Sequence, residues 1–496
     1  MKLSLAQLFT ERSRCRASFL VATASMCALV ACASLPQATV APMPEPASGT
    51  GPAIQLESAK GTMATKQSQT VLNRLSRGAP DTDIFEYHLA AENAIATEPL
   101  TTGNKVALFE DGPSTYAAMN RAIASAKDHI NMETYIIEDD DVGRAFVLAL
   151  AAKQRAGVQV NLIYDSVGSI NTPKTFFEPL IAAGVNVLEF NPVNPLTAKK
   201  GWQLNQRDHR KLLIVDGKTV FLGGINISAV YSGGSSARRK PTDAGSEKIP
   251  SRALWRDTHM QIDGPVVASF QRMFMSTWTK QKGEPLKERK YFPSIKAEGK
   301  EVIRAISSSA DGTPTPTAQT VSAPPDGAST QIYSTLISAI NNAQTSIFLT
   351  NAYFVPDQQL IGALKQAVQR GVAVKIILPG HTDSALVFHA GRSHYTNMLE
   401  GGIEIYERSD KLLHSKTVAI DGVWSSVGSS NLDWRSFLHN DEVSAIVLGT
   451  EFGQQMRTMF DKDLAASHQV TLAEWRARPL TIRIKESAAR LWAYWL

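Results

Sequence analysis

Cysteine is almost missing from this 496-residue chain. Cys15, Cys27 and Cys32 all lie near the N-terminus, so residues 33–496 hold no disulfide among themselves, no thiolate metal site and no thiol nucleophile. A strong charge of one sign is missing too. Lys and Arg number 51 against 46 Asp and Glu, a formal net charge of +5, too weak for the field that holds a nucleic-acid polyanion. No G-x4-G-K-[ST] phosphate loop occurs, so nothing points to a nucleoside triphosphate as energy source. The apolar run Ala17 to Val30 is short for a membrane-crossing helix, which needs roughly 20 residues. What remains is ordinary globular composition, 43% hydrophobic and 20% charged, with length enough for two domains.

The N-terminus reads as an export signal. Arg12, Arg14 and Arg16 precede the apolar run, which ends in Leu29-Val30-Ala31-Cys32. This resembles the lipobox of bacterial lipoproteins. It implies removal of residues 1–31, lipidation of Cys32 and a membrane-associated enzyme facing the periplasm. Ala33, in place of the aspartate that retains lipoproteins at the inner membrane, favours the outer membrane. An ordinary signal peptide or a short anchor helix is the alternative. Cleavage would remove Lys2, Arg12, Arg14 and Arg16 against Glu11, a net +3 of the +5, leaving +2. Residues 32–83, rich in Ala, Pro, Ser, Thr and Gly, read as a flexible tether, with folding signals starting near Ile84.

A repeat of domain size follows. Asp111-Gly112, Ala122-Ile123 and Ile130 to Tyr135 in the first copy match Asp326-Gly327, Ala339-Ile340 and Ile347 to Tyr353 in the second. Each continues into an amphipathic helix, with Val142, Ala145, Phe146, Ala149 and Leu150 on one face, or Leu360, Ala363, Leu364, Ala367 and Val368. Each helix stops at a glycine, Gly157 or Gly371, and a strand-like run follows. The order predicts βαβ units, a largely parallel sheet and two α/β domains, at 84–306 and 326–470. Residues 307–325 read as the linker, 232–251 as a polar insertion and 471–496 as a C-terminal segment. The cluster Arg238-Arg239-Lys240 suits a solvated loop or anionic headgroups.

Each copy ends in one signature: His209-x-Lys211-x4-Asp216…Gly223-Gly224-Ile225-Asn226, and His414-x-Lys416-x4-Asp421…Gly428-Ser429-Ser430-Asn431. Residues i and i+2 of a strand face one side, so each lysine stands beside its histidine. That pairing suits a phosphate: the ammonium holds anionic oxygens while the imidazole attacks or donates a proton. A metal site fits less well, because lysine is cationic at neutral pH. His88, His129, His381, His389, His394, His439 and His468 receive no role.

The signature resembles the HKD motif of the phospholipase D superfamily, over nearly all of residues 104–470. The stretches Asn205 to Gly217, Trp255-Arg256-Asp257-Thr258-His259 and Ser429 to Ser436 look most like cardiolipin synthases. The resemblance implies two α/β/α sandwich domains about a pseudo-twofold axis with one active site between them, no cofactor and no metal. It implies a phosphohistidine intermediate, with His209 as nucleophile and His414 as acid and base; the residues alone do not distinguish the two. Lys211, Lys416, Asn226 and Asn431 would bind phosphate oxygens. Asp257 would orient His209, and Glu442 would orient His414. Asp216 and Asp421 complete the motifs and read as structural residues at hairpin turns. Glu133 and Tyr135, in a segment like the group's E-T-Y, read either as a strand end beside the site or as direct contacts.

The implied reaction joins two phosphatidylglycerol molecules into cardiolipin and glycerol. Its rivals are a phospholipase D hydrolase releasing phosphatidic acid, a nucleic-acid phosphodiesterase, and a catalytically dead membrane-binding module. Arg483, Lys485, Arg490, Trp492, Tyr494 and Trp495 fit either a membrane interface or a terminal helix packed on the enzyme. Oligomeric state is not legible.

Overall fold

Buried apolar side chains begin well before Ile84. The computed structural model describes residues 54–77, 82–95, 98–194, 205–232, 255–309 and 331–493. The export segment, Cys32, Arg238-Arg239-Lys240 and Asp326-Gly327 lie outside these residues. Leu56 is fully buried, and helix α1 (Thr65–Leu75) buries Leu72 and Leu75 in the same core. The Leu56 amide donates to Ser68 Oγ at 3.1 Å. The expected tether is therefore folded over much of its length: three leucines suffice to dock an otherwise polar segment, each worth about 1.5–3 kcal/mol when buried. Helix α2 (Thr82–Ile95) continues the layer. Its His88 Nε2 meets Asp421 Oδ2 at 2.9 Å, and its Glu92 accepts from Trp424 Nε1 at 2.7 Å.

The first half runs β1 (Thr101–Phe109), α3 (Gly112–Ser125), β2 (His129–Thr134), α4 (Asp141–Arg155), β3 (Gln159–Asp165), β4 (Asn186–Phe190), β5 (Lys211–Val215), β6 (Thr219–Gly223), β7 (His259–Asp263) and α5 (Val267–Lys280). Strand β8 (Glu301–Ser308) opens the second half. There follow α6 (Gln331–Asn342), β9 (Ser346–Asn351), α7 (Gln358–Gln369), β10 (Ala373–Pro379), α8 (Ala385–Arg392), β11 (Glu404–Arg408), β12 (Lys416–Ile420), β13 (Trp424–Gly428), β14 (Asn440–Leu448), α9 (Thr450–Ala465), β15 (Ser467–Val470) and α10 (Leu480–Arg490).

One sheet spans both halves, in the order β4-β3-β2-β5-β6-β7-β1-β8-β14-β13-β12-β9-β10-β11-β15. Apart from β15, the order reads alike from either end, so the twofold relation falls between β1 and β8. Among these fifteen strands the parallel pairs are those within β2-β3-β4 and β9-β10-β11. The sheet is mixed rather than largely parallel, because the hairpins β5–β6 and β12–β13 return antiparallel strands beside each βαβ unit. Ser307 and Ser308, expected in the linker, pair with Val443 and Glu442. Backbone pairing decides there, and the Ser308 hydroxyl accepts from the Ile332 amide at 3.3 Å.

Strand alternation builds the layers. Leu213, Val215 and Phe221 face α3 and α4, while Leu212, Ile214, Val220 and Leu222 join a core that α5 and α9 share across both halves. On α7 the expected face is the buried one: Leu360, Ala363, Leu364 and Ala367. On α4 the buried residues are Gly143, Phe146, Val147, Leu150 and Ala151; of the expected stripe Phe146 and Leu150 are buried, Val142 and Ala149 pack partly buried on the same core, and Ala145 is exposed.

Candidate active site

Each histidine sits one residue after a two-residue strand that is held by the opposite half. Residues 207–208 pair in parallel with Asn440 and Asp441, and residues 412–413 with Trp255 and Arg256. The His209 amide donates to Asp441 O at 3.0 Å, and the His414 amide to Arg256 O at 2.7 Å. Both imidazoles line a single cavity of about 700 Å³.

The carboxylates are exchanged relative to the expectation. His209 Nδ1 donates to Glu442 Oε1 at 2.9 Å, and His414 Nδ1 donates to Asp257 Oδ2 at 2.7 Å. Glu442 orients His209 and Asp257 orients His414, each from the other half. The swap follows from those parallel strands, which carry each half's carboxylate alongside its partner's histidine. Burial alone would raise Glu442, but His209 and Lys211 outweigh it and bring its carboxyl down to about 2. His414 and Lys416 likewise hold Asp257 below its ordinary value against burial. An ionised carboxylate accepts from Nδ1–H and keeps the proton on that nitrogen, which leaves Nε2 as the lone-pair nitrogen. Burial lowers His209 to about 4, with Glu442 opposing and Lys211 adding to the fall. Burial and Lys416 also lower His414. His209 therefore presents the neutral ring that a nucleophile needs.

The lysines stand behind the histidines. Lys211 Nζ donates to His209 O and Lys416 Nζ to His414 O. Neither is among the cavity-lining residues, and burial lowers them to about 7 and about 8. Asn226 and Asn431 do line the cavity. Asn226 Oδ1 accepts from the Ile136 amide at 3.1 Å and its Nδ2 donates to Tyr231 Oη at 3.0 Å, whereas Asn431 Oδ1 has no hydrogen-bond partner among the described residues.

Asp216 and Asp421, the aspartates that complete the two catalytic motifs, do not line the cavity. Both adopt positive φ, 52° and 55°, at the hairpin turns. Asp216 accepts from the amides of Lys127, Asp128 and His129, and Asp421 from those of Gln344, Thr345 and Ser346. Each staples the chain entering β2 or β9.

Tyr135 touches His209 edge to face, with centroids 4.9 Å apart, and lines the cavity. Glu133 does not line it; it is buried and accepts from Arg210 Nη1 at 3.4 Å. Motif reading missed the rest of the wall. Tyr231, Trp255 and Tyr353 surround His414, with centroids at 6.0, 5.1 and 6.3 Å. Arg435, Ser436 and Asn440 also line the cavity, as do the acidic Glu138, Asp139, Asp140, Asp383 and Asp433. Tyr353 was accessible as the repeat partner of Tyr135; Tyr231 carries no motif.

Two imidazoles, each backed by a carboxylate and a lysine and facing one cavity, define a two-motif phosphodiester-transferring enzyme of the phospholipase D type. The family model "Cardiolipin synthase, PLD-like domain" matches residues 119–231 and 336–464. The cardiolipin synthase of Halalkalibacterium halodurans is 32% identical over 398 residues, covering 80% of this chain and 73% of that protein. Cardiolipin synthase 1 of Staphylococcus epidermidis is 34% identical over 412 residues, covering 82% and 77%. The crystal structure of phosphatidylserine synthase from Haemophilus influenzae superposes with a TM-score of 0.59 at 13% identity, covering 82% of this chain and all of that one, a likeness of fold. The chain belongs to the cardiolipin synthase family of the phospholipase D superfamily.

Proposed function

We propose that the protein joins two phosphatidylglycerol molecules into cardiolipin with release of glycerol. One observation carries this reading: the histidines of both motifs line one cavity, each oriented by the other half's carboxylate. In the first step His209 Nε2 attacks phosphorus, and the bond to the headgroup glycerol oxygen breaks. His414, its imidazolium supported by Asp257, gives that oxygen a proton. In the second step neutral His414 takes the proton from a headgroup hydroxyl of the second phosphatidylglycerol. That oxygen attacks phosphorus and the P–N bond breaks. One phosphodiester is broken and one formed, so no nucleotide is consumed. Splitting the displacement in two and assisting each proton transfer are the contributions the side chains make, the latter typically about 10²–10⁴-fold.

The nucleophile assignment rests on resemblance. Acid-free quenching followed by peptide mass spectrometry tests it: a phosphatidyl group on His209 supports it, and one on His414 reverses the roles. His209→Ala and His414→Ala are each expected to abolish turnover, and a chelator to leave it intact. Lipid extracts of overexpressing cells separate the products, since a rise in cardiolipin supports synthesis and a rise in phosphatidic acid supports hydrolysis.

Export to the periplasmic face of a membrane through lipidated Cys32 belongs to the same proposal and is supported by the sequence around Cys32. Radiolabelled palmitate tests it: incorporation that is lost in Cys32→Ser supports the anchor, and its absence in the wild type removes it.

A further inference from the structure

The last helix leaves one face bare. On α10, Glu486 and Ala489 are buried, while Leu480, Ile484 and Leu491 are 67%, 59% and 64% exposed, with Trp492 following at 54%. The three aliphatic positions recur at the spacing of one helical stripe. The exposed charges of α10 are all basic: Arg483, Lys485 and Arg490. Its one acid, Glu486, accepts from Arg478 Nε at 2.9 Å.

The opposite, buried face of α10 packs beside the active-site mouth. Ala489 packs on Ala390 of α8, and Val387 of α8 packs on the same cluster and lines the cavity. The neighbouring Leu386 is 42% exposed. In the first half Ile170 is 62% exposed, next to Asn171 and Thr172 of the cavity wall. Large apolar side chains thus stand exposed beside the cavity wall in both halves and on the outer face of the adjoining α10. Contiguous exposed apolar surface of this kind marks a contact site.

We infer that α10, with Leu386 and Ile170, is the surface that rests on an anionic lipid bilayer. The inference builds on the reading that the substrate is a phospholipid. The cavity is of a size that takes a drug-sized ligand. It has room for headgroups but not for the four acyl chains of two phosphatidylglycerols. The chains stay in the bilayer, so the mouth has to meet it. Leucine, isoleucine and tryptophan enter the interfacial layer, and the arginines and lysine meet anionic headgroups.

The test uses the full chain with Cys15, Cys27 and Cys32 replaced by serine, which removes the lipid anchor, and a polarity-sensitive fluorophore on Ser487→Cys. Phosphatidylglycerol vesicles are expected to shift its emission to the blue. Pure phosphatidylcholine vesicles should shift it less, and Ile484→Asp with Leu491→Asp should remove the shift. No change with vesicles overturns the inference. So does emission already blue in buffer, which would mean that another part of the chain or a second copy covers the face; an equal shift on both vesicle types overturns the role of the basic residues. In turnover, the double variant should lose at least tenfold on phosphatidylglycerol vesicles yet stay within twofold on monomeric short-chain phosphatidylglycerol. Equal loss on both also overturns it. A wild type that converts neither substrate refutes the enzymatic reading instead, and the fluorescence still decides the docking.

Discussion

The exchange of carboxylates between halves can be tested by replacing Glu442 with glutamine. The carboxyl falls from 4.5 to about 2, against its own burial, because His209 and Lys211 favour its charge. That is a factor of a few hundred in proton affinity, about 3 kcal/mol. The amide side chain would keep the shape and an acceptor for His209 Nδ1–H but lose the ionic part of the bond. If most of that energy supports the positive charge that builds on His209 as it attacks, kcat falls about 100-fold, at about 1.4 kcal/mol per factor of ten. The decisive assay is nuclear magnetic resonance of the protein labelled with ¹⁵N-histidine, with the rings assigned through His209→Gln and His414→Gln. Glu442→Gln should move the His209 Nδ1–H resonance and leave that of His414. Asp257→Asn should do the reverse. A Glu442→Gln variant that moves only the His414 ring would refute the exchanged arrangement.

Three further outcomes follow from the same geometry. A Cβ on Gly224 would lie 2.2 Å from Asp257 Oδ1, so Gly224→Ala should displace that carboxylate and cut kcat at least tenfold, with near-unchanged thermal stability by calorimetry separating this from misfolding. Lys211 and Lys416, lowered by burial to about 7 and about 8, lose their charge as pH rises through that range. kcat/KM should therefore fall above pH 7–8, and kcat should fall at higher pH because a bound phosphodiester anion favours the protonated lysines; coincident limbs above pH 10 would contradict the buried lysines. Leu56→Ala should cost about 2–5 kcal/mol in denaturant unfolding if the segment before residue 84 is part of the fold, and a change below about 0.5 kcal/mol would return it to the status of a tether.

Local chemistry was enough to read the duplicated halves, the motif histidines and lysines, and the stop of α4 and α7 before Gly157 and Gly371, both at positive φ. These features depend on spacing and on the period of one strand or helix, which a linear sequence displays. Tertiary structure alone decided which carboxylate serves which histidine, because the parallel pairing of residues 207–208 with Asn440 and Asp441 joins segments from different halves. It also decided the aromatic wall around His414, where Tyr231 and Trp255 reach the other motif's ring, and the burial of Leu56, whose neighbours on the chain are polar. Contacts between residues more than a hundred positions apart leave no period to read; they arise when the two halves close on each other across β1 and β8 and strands from each come to lie beside the other's motif.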